Sequence, residues 1–375
     1  MYHKNIPFIA LVLIVLFSCK EEKQDYVFSL SGQLLNPSPD GVVLLQATNL
    51  SQKQFDAVDT LKLNPDGSFY ETYNLQPHYY NLRINDSTNV AFLADSLQDI
   101  KILPRETKGY DIAGSPDTRL FEEYEAFRSQ VLQTKVYPLR GQLYQLLGKK
   151  NPEDAEKIAE IGKRVEQAEA AYRDTLINAV KPLGTSLAIY PTTVRWNGDT
   201  NLKFYDSLAT QFSKVHSGLE ITQRILEKVK VMKQISLGGK VPNIVAPDTS
   251  GVENSLYQNL GKYTLIDFWG SWCGPCRSEA GQLVSLFDQY KPEGFNIFAF
   301  AVERDKTRWE NAIKQDQRTW INVSTQDWYS NDICANYDIT ALPKNFLVDA
   351  NGIIIAKDLH GKELAEKLAE LFSSP

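Results

Sequence analysis

Two cysteines define the chemistry open to this chain. Cys273 and Cys276 are separated by Gly274-Pro275 and follow closely on the apolar run from Tyr263 to Trp269. Thiols at this spacing can close a disulfide, and Gly-Pro readily supplies the bend that closure needs. A strand entering the bend and a helix leaving it would set Cys273 at a helix N-terminus. There the helix dipole favours the thiolate, the form that attacks disulfides. The same spacing is also half of a zinc site, but four ligands would require a second such pair or clustered imidazoles. His3, His78, His216 and His360 are scattered along the chain and no second pair exists. The expectation is a redox centre without a metal.

The segments that must position this pair alternate between strand and helix. Leu237–Pro242 reads as the last linker of the chain. Beyond it, strands are expected at Tyr263–Trp269, Asn296–Val302, Trp320–Val323, Asn345–Val348 and Ile353–Ala356. Helices are expected at Cys276–Tyr290, Lys306–Gln315, Asn331–Tyr337 and Lys362–Phe372. Asp349–Gly352 has the composition of a hairpin turn. A βαβ half followed by a ββα half, with the cysteine pair ending a strand, is the thioredoxin layout.

Upstream, the pattern changes twice. From Tyr26 to about Ser115 the signals are those of short strands: alternation around Val27–Ser31, the apolar run Gly41–Leu45, and the turn Asn64-Pro65-Asp66-Gly67. Strands at that spacing indicate an antiparallel sandwich or barrel-like module. From about Pro116 to Ser236, helical spacing takes over in Asp117–Leu132, Pro152–Val180, Leu202–Phe212 and Gly218–Gln234. No heptad persists long enough for a coiled coil, and nothing here fixes an oligomeric state.

Composition narrows the function classes. The chain has 375 residues, too many for a single unit of roughly 100–150, and its 43% hydrophobic content can form real cores. A formal net charge of −6 gives no basic footprint for nucleic acid. At the N-terminus, His3 and Lys4 precede the apolar run Ile6–Phe17, which has the length of a signal-peptide core and is too short to span a bilayer. It ends in Leu16-Phe17-Ser18-Cys19, which resembles a bacterial lipobox, implying cleavage before Cys19 and lipidation of its thiol. Lys20–Lys23 reads as a solvated tether; acidic residues at that place also resemble surface-export signals of Bacteroidota lipoproteins. The body of the protein is therefore expected outside the cytoplasm on a lipid anchor, facing the periplasm in preference to the cell surface. With Cys19 set aside, Cys334 is the odd thiol, and it reads as a small buried hydrophobe.

Residues from about 238 to 375 resemble the extracytoplasmic thioredoxin-like proteins of the TlpA type, which include the cytochrome c maturation reductases. The matching text is Gly239–Pro247, Gly261-Lys262, Ile266–Glu279 and Thr340–Asp349, in that order. The resulting division is a signal peptide over 1–18, a tether over 19–25, an all-β module over 26–115, an α-helical spacer over 116–236 and an α/β thioredoxin-like domain over 237–375.

The resemblance implies a role for each matched residue. Cys273 becomes the attacking thiolate and Cys276 the resolving thiol. Asp267 falls where thioredoxins keep a buried carboxylate that takes the resolving thiol's proton. Burial in an apolar strand should raise its pKa towards neutrality. Glu279 matches an acidic position of the cytochrome-maturation subgroup, and also reads as a first-turn carboxylate facing solvent. Leu342-Pro343 falls on the cis-proline loop whose backbone docks substrate as an added strand. Trp272, Gly274 and Pro275 complete that docking surface, with Trp269 a further part of the apolar wall.

Two departures from the pattern bear on substrate preference: Gly281 stands where many relatives have a helix-bending proline, and Lys344 where threonine is common. The implied partners are protein disulfides and a membrane thiol relay as electron donor, with no cofactor besides the Cys273–Cys276 disulfide. A peroxiredoxin-like thiol peroxidase, or a binding or scaffold lipoprotein with incidental redox activity, remain as alternatives.

Overall fold

The computed structural model describes residues 25–373 apart from 38–40, 51–53, 150–151 and 197. Cys19 and the apolar leader lie outside the described residues.

Eight strands open the described chain: β1 Val27–Gln33, β2 Val42–Asn49, β3 Gln54–Lys62, β4 Ser68–Asn74, β5 His78–Asn85, β6 Thr88–Ala94, β7 Asp99–Pro104 and β8 Tyr110–Ala113. They form two four-stranded sheets, ordered β4-β1-β7-β8 and β3-β2-β5-β6. Every pairing is antiparallel except β1 with β7. Their inner faces share one core, in which Phe28, Leu30, Ile100 and Ile102 of one sheet meet Val43, Leu45, Leu82 and Phe92 of the other. These alternate along each strand, as a sheet buried on one face requires.

Helices follow: α1 Pro116–Val131, α2 Tyr137–Lys149, α3 Ala155–Val180, the short α4 Ile189–Thr192, α5 Gly198–Val215 and α6 Glu220–Gln234. Ser115 caps α1 by accepting from the Thr118 amide. A π-helical turn at Leu132–Val136 separates α1 from α2. The buried sides of α1, α3, α5 and α6 close a core around Tyr190, Phe212 and Ile225. This core reaches back to the β module, where the Tyr190 hydroxyl donates to the Thr48 carbonyl at 2.9 Å.

The segment expected to link α6 to the last domain is fastened to that domain. The amide of Gly238 donates to Ile354 O, that of Val241 to Gly352 O, and Ile354 N donates to Gly239 O. A Cβ on Gly239 would lie 2.1 Å from the carbonyl oxygen of Gln234, so only glycine passes this turn without backbone movement. Val231 and Ile235, near the end of α6, belong to the core of the domain that follows.

That domain adds β9 Val245–Pro247 and β10 Glu253–Ser255 as a small hairpin, then β11 Tyr263–Trp269, α7 Gly274–Ser278, α8 Ala280–Tyr290, β12 Phe295–Ala301, α9 Lys306–Gln315, β13 Ile321–Val323, α10 Asp332–Asn336, β14 Lys344–Asp349, β15 Ile354–Lys357 and α11 Gly361–Ser373. The five-stranded sheet runs β13-β12-β11-β14-β15, with β11, β12 and β13 parallel and the other pairings antiparallel. Central β11 is buried on both faces, and side-chain alternation divides it. Ile266 and Phe268 point into one core; Leu265 and Trp269 point into the other, which also holds both cysteines. The fold is thus a thioredoxin-like α/β domain behind an all-β module and a helical region. One expected element differs: the helix after the cysteines is broken at Glu279 into α7 and α8.

Candidate functional site

Strand β11 delivers the chain to a turn, Gly270–Trp272, that seats the first thiol. Cys273 is the N-cap of α7, in extended backbone, and its sulfur accepts from the Cys276 amide at 3.3 Å. Cys273 and Cys276 are joined by a disulfide and are 4% and 3% exposed. The amide aimed at the Cys273 sulfur is the interaction that favours negative charge there once the bond is reduced. Gly274 and Pro275 are exposed beside it.

The turn is held from below and above. The Ser271 amide donates to Glu303 Oε2 at 3.1 Å, and the Trp272 indole N–H donates to the Val302 carbonyl at 2.8 Å. A Cβ on Gly270 would fall 2.7 Å from that indole nitrogen, so glycine is what lets the ring fold back. Trp272 stays 38% exposed, its ring 4.7 Å from that of Trp328, while Trp269 is fully buried.

Asp267 lies on the same face of β11 as Leu265 and Trp269, the face whose core holds the cysteine pair. Its carboxylate is not alone. Arg318, from the segment between α9 and β13, has a fully buried side chain and donates through Nη1 to Asp267 Oδ2 at 2.9 Å. Its Nη2 donates to the Cys276 carbonyl at 3.1 Å, and its guanidinium lies 3.8 Å from the Trp269 ring centre. Asp316 stands 3.5 Å from Arg318 Nε and accepts from Arg277 Nε of α7 at 2.5 Å. Burial pushes the Asp267 carboxyl above its ordinary range, and the Arg318 charge opposes that push without cancelling it.

Glu279 sits at the break between α7 and α8, where its Oε2 is 2.9 Å from Nδ1 of His360 just ahead of α11. Its hydrogen bond with Glu279 raises the imidazole pKa against the effect of burial. Both side chains are about one-third exposed, so Glu279 is a paired group at the rim.

The Leu342–Pro343 peptide bond is cis. Register places Lys344 opposite Phe268, so Pro343 flanks the end of β11 from which the cysteine turn departs. Thr340 and Ala341 ahead of it are exposed, and Lys344 is paired with Asp358 at 2.5 Å. A cleft of about 510 Å³ runs from Pro343 and His360 to Arg195 and Trp196 of the helical region. Cys334 is 2% exposed and belongs to the core on the opposite face of the sheet from the disulfide.

The structure therefore gathers Asp267, Cys273, Cys276, Glu279 and Pro343 around one end of β11. Spacing along the chain gives no sign of the roles of Arg318, His360 and Trp328. Arg318 is 51 residues from Asp267 and sits in a polar stretch without periodicity. A buried aspartate asking for a cation was the only available signal.

A thioredoxin-like family model matches residues 261–354. The chain is 30% identical over 123 residues to the thiol-disulfide oxidoreductase ResA of Bacillus subtilis, a match covering 33% of this chain and 67% of that protein. The chain belongs to the thioredoxin-like thiol–disulfide oxidoreductases. The namesake in Bacillus thuringiensis is 29% identical over 139 residues, covering 37% of this chain and 78% of its own. Among solved structures, the thioredoxin domain of a thiol-disulfide oxidoreductase from Bacteroides vulgatus is 33% identical, with a TM-score of 0.35, covering 36% of this chain and 98% of its own. Another, from Bacteroides fragilis, is 32% identical with a TM-score of 0.33, covering 35% and 98%. Each of these four matches covers 33–37% of the chain. The enzyme class is thus a thiol–disulfide oxidoreductase. Among the described residues no helix is long and apolar enough to cross a membrane.

Proposed function

We propose that this oxidoreductase is a lipid-anchored, extracytoplasmic reductant of protein disulfides. In the reduced protein the Cys273 thiolate attacks one sulfur of a substrate disulfide. A mixed disulfide forms and the first substrate thiolate leaves. Cys276 then gives its proton to Asp267 and attacks the Cys273 sulfur. The second substrate thiolate leaves, and two electrons have passed to the substrate while Cys273–Cys276 closes. A membrane thiol relay would restore the dithiol. Substrate would dock as an extended segment along Thr340–Pro343, with Trp272, Gly274 and Pro275 as the facing wall.

The observation that carries this reading is the Cys273–Cys276 disulfide capping α7 on the same face as buried Asp267. The anchor reading rests on Leu16–Cys19 and puts the body outside the cytoplasm, with the periplasm favoured over the cell surface because Lys20–Lys23 reads best as a plain tether. The resemblance at Glu279 points to the disulfide of an apocytochrome c as one candidate substrate, beside other periplasmic disulfides and partners in glycan or nutrient uptake. The Gly-Pro dipeptide is that of thioredoxin, whose potential is about −270 mV, whereas a dedicated oxidant lies near −120 mV. Equilibration of the purified protein in glutathione buffers measures this potential, and a value at the oxidising end refutes the reductant assignment. A Cys276→Ser variant should accumulate mixed disulfides in cells, from which the substrates can be identified. Incorporation of labelled palmitate that is lost in Cys19→Ala checks the anchor.

A further inference from the structure

One guanidinium ties β11 to α7 beneath the disulfide. Arg318 bonds the Asp267 carboxylate on β11 and the Cys276 carbonyl on α7, and it stacks on the Trp269 ring. Asp316 on its far side is itself held by Arg277 of α7. The four charges Arg277, Asp316, Arg318 and Asp267 balance to zero, which suits a cluster whose inner pair, Arg318 and Asp267, is buried. A buried guanidinium, unlike a lysine ammonium, keeps its proton throughout the physiological range.

We propose that Arg318 is the positioning residue of the resolving step: it holds Asp267 and the Cys276 peptide in one fixed arrangement, and its charge favours the form of Asp267 that can accept the Cys276 proton. The proposal rests on the assignment of Asp267 as that acceptor. In the step, the Cys276 S–H bond breaks and the proton goes to an Asp267 carboxylate oxygen. The Cys276 thiolate then forms the S–S bond with Cys273 and the substrate thiolate departs with the electron pair of the broken mixed disulfide. Arg318 stabilises both anions, the carboxylate before transfer and the thiolate after it. The other titratable groups influencing Asp267 are Glu279, whose charge disfavours ionisation, and His360, whose charge favours it. Both remain in place when Arg318 is changed.

The test uses the full chain in its reduced form and the aromatic disulfide 5,5′-dithiobis(2-nitrobenzoate). The first release of coloured thiolate reports attack by Cys273; the second reports resolution by Cys276. For Arg318→Met we expect the second phase to move its pH midpoint upward by about one unit, or roughly tenfold slower at a fixed pH below the midpoint. The first phase should be nearly unchanged, because attack by Cys273 does not pass through Asp267. Arg318→Lys, which retains a charge, should recover most of the shift. Asp267→Asn should lose the titration, and Arg318→Met/Asp267→Asn should match Asp267→Asn alone, because Arg318 acts through Asp267. The double variant carries no uncompensated buried charge, so it supplies the answer if Arg318→Met fails to fold.

Two outcomes overturn the proposal. One is both phases of Arg318→Met slowing equally with no midpoint shift. The other is a double variant that slows further than Asp267→Asn. A wild-type second phase in Asp267→Asn instead removes the acceptor role of Asp267 itself.

Discussion

Ile235→Asp tests whether the helical region and the redox domain form one cooperative body. Ile235 is 5% exposed and Val231 is 8% exposed, and both pack with Val241, Ile244, Tyr337 and Ile339 of the thioredoxin-like core. Burying each side chain is worth about 1.5–3 kcal/mol, so the pair contributes roughly 3–6 kcal/mol to the contact. Lys228 and Asp338 add an ion pair at 2.5 Å with side chains 15% and 24% exposed, worth at most about 1 kcal/mol after screening. The aspartate removes one apolar share and places a carboxylate in an apolar contact, a further cost of several kcal/mol. That is comparable to what holds the two regions together. Differential scanning calorimetry of wild type should give one transition covering both regions, and Ile235→Asp should split it in two. Tryptic cleavage at exposed Lys240 should accelerate in step. Two transitions in wild type, or a single one shifted in the variant by less than about 1 kcal/mol, would refute this packing argument.

Other perturbations bear on the site directly. Gly270→Ala would drive the Trp272 ring off its seat, losing a hydrogen bond of about 1 kcal/mol and the tilted ring contact with Trp328, worth about 0.5–1.5 kcal/mol. Reduction of a protein disulfide should slow more than that of a small aromatic disulfide; equal slowing would remove Trp272 from the docking surface. The His360–Glu279 pair raises the folded imidazole pKa, so its stabilisation is fully present below the unfolded value of about 6.5 and is lost as pH rises through the folded value. Urea unfolding should therefore separate wild type from His360→Gln at pH 5.5 and bring them together at pH 8.5. A gap that widens with pH would contradict the pairing.

Much of the site was legible because its residues lie in short, chemically unusual words. Cys273-Gly274-Pro275-Cys276 after an apolar strand announces both the turn and the thiols, and Leu342-Pro343 precedes a strand at the expected distance. An aspartate inside Leu265–Trp269 stands out for the same reason. What stayed hidden was made by tertiary contact. Arg318 acquires its meaning only when the chain after α9 folds back under β11, and His360 only when α11 docks beside the α7–α8 break. Strand β3 escaped because eight of its nine residues are at least partly exposed, leaving no apolar alternation to read. The single helix expected over Cys276–Tyr290 is divided at Glu279, whose backbone turns from the ideal helical values (φ −83°, ψ −15°) although its amide still donates to Pro275 O and its carbonyl still accepts from Leu283 N, and no propensity in Arg277-Ser278-Glu279 signals that change.

The distribution of indoles gives this protein a built-in optical readout. Of six tryptophans, five lie at or beyond Trp269, and the sixth, Trp196, is stacked on Tyr205 in the helical core. Trp269 shares a core with both cysteines and Trp272 adjoins Cys273. Disulfides quench nearby excited indoles and thiols do so less, so opening Cys273–Cys276 should brighten the emission. In a Trp196→Phe background all the light comes from the redox domain, and electron transfer to a partner can be followed in real time without a label.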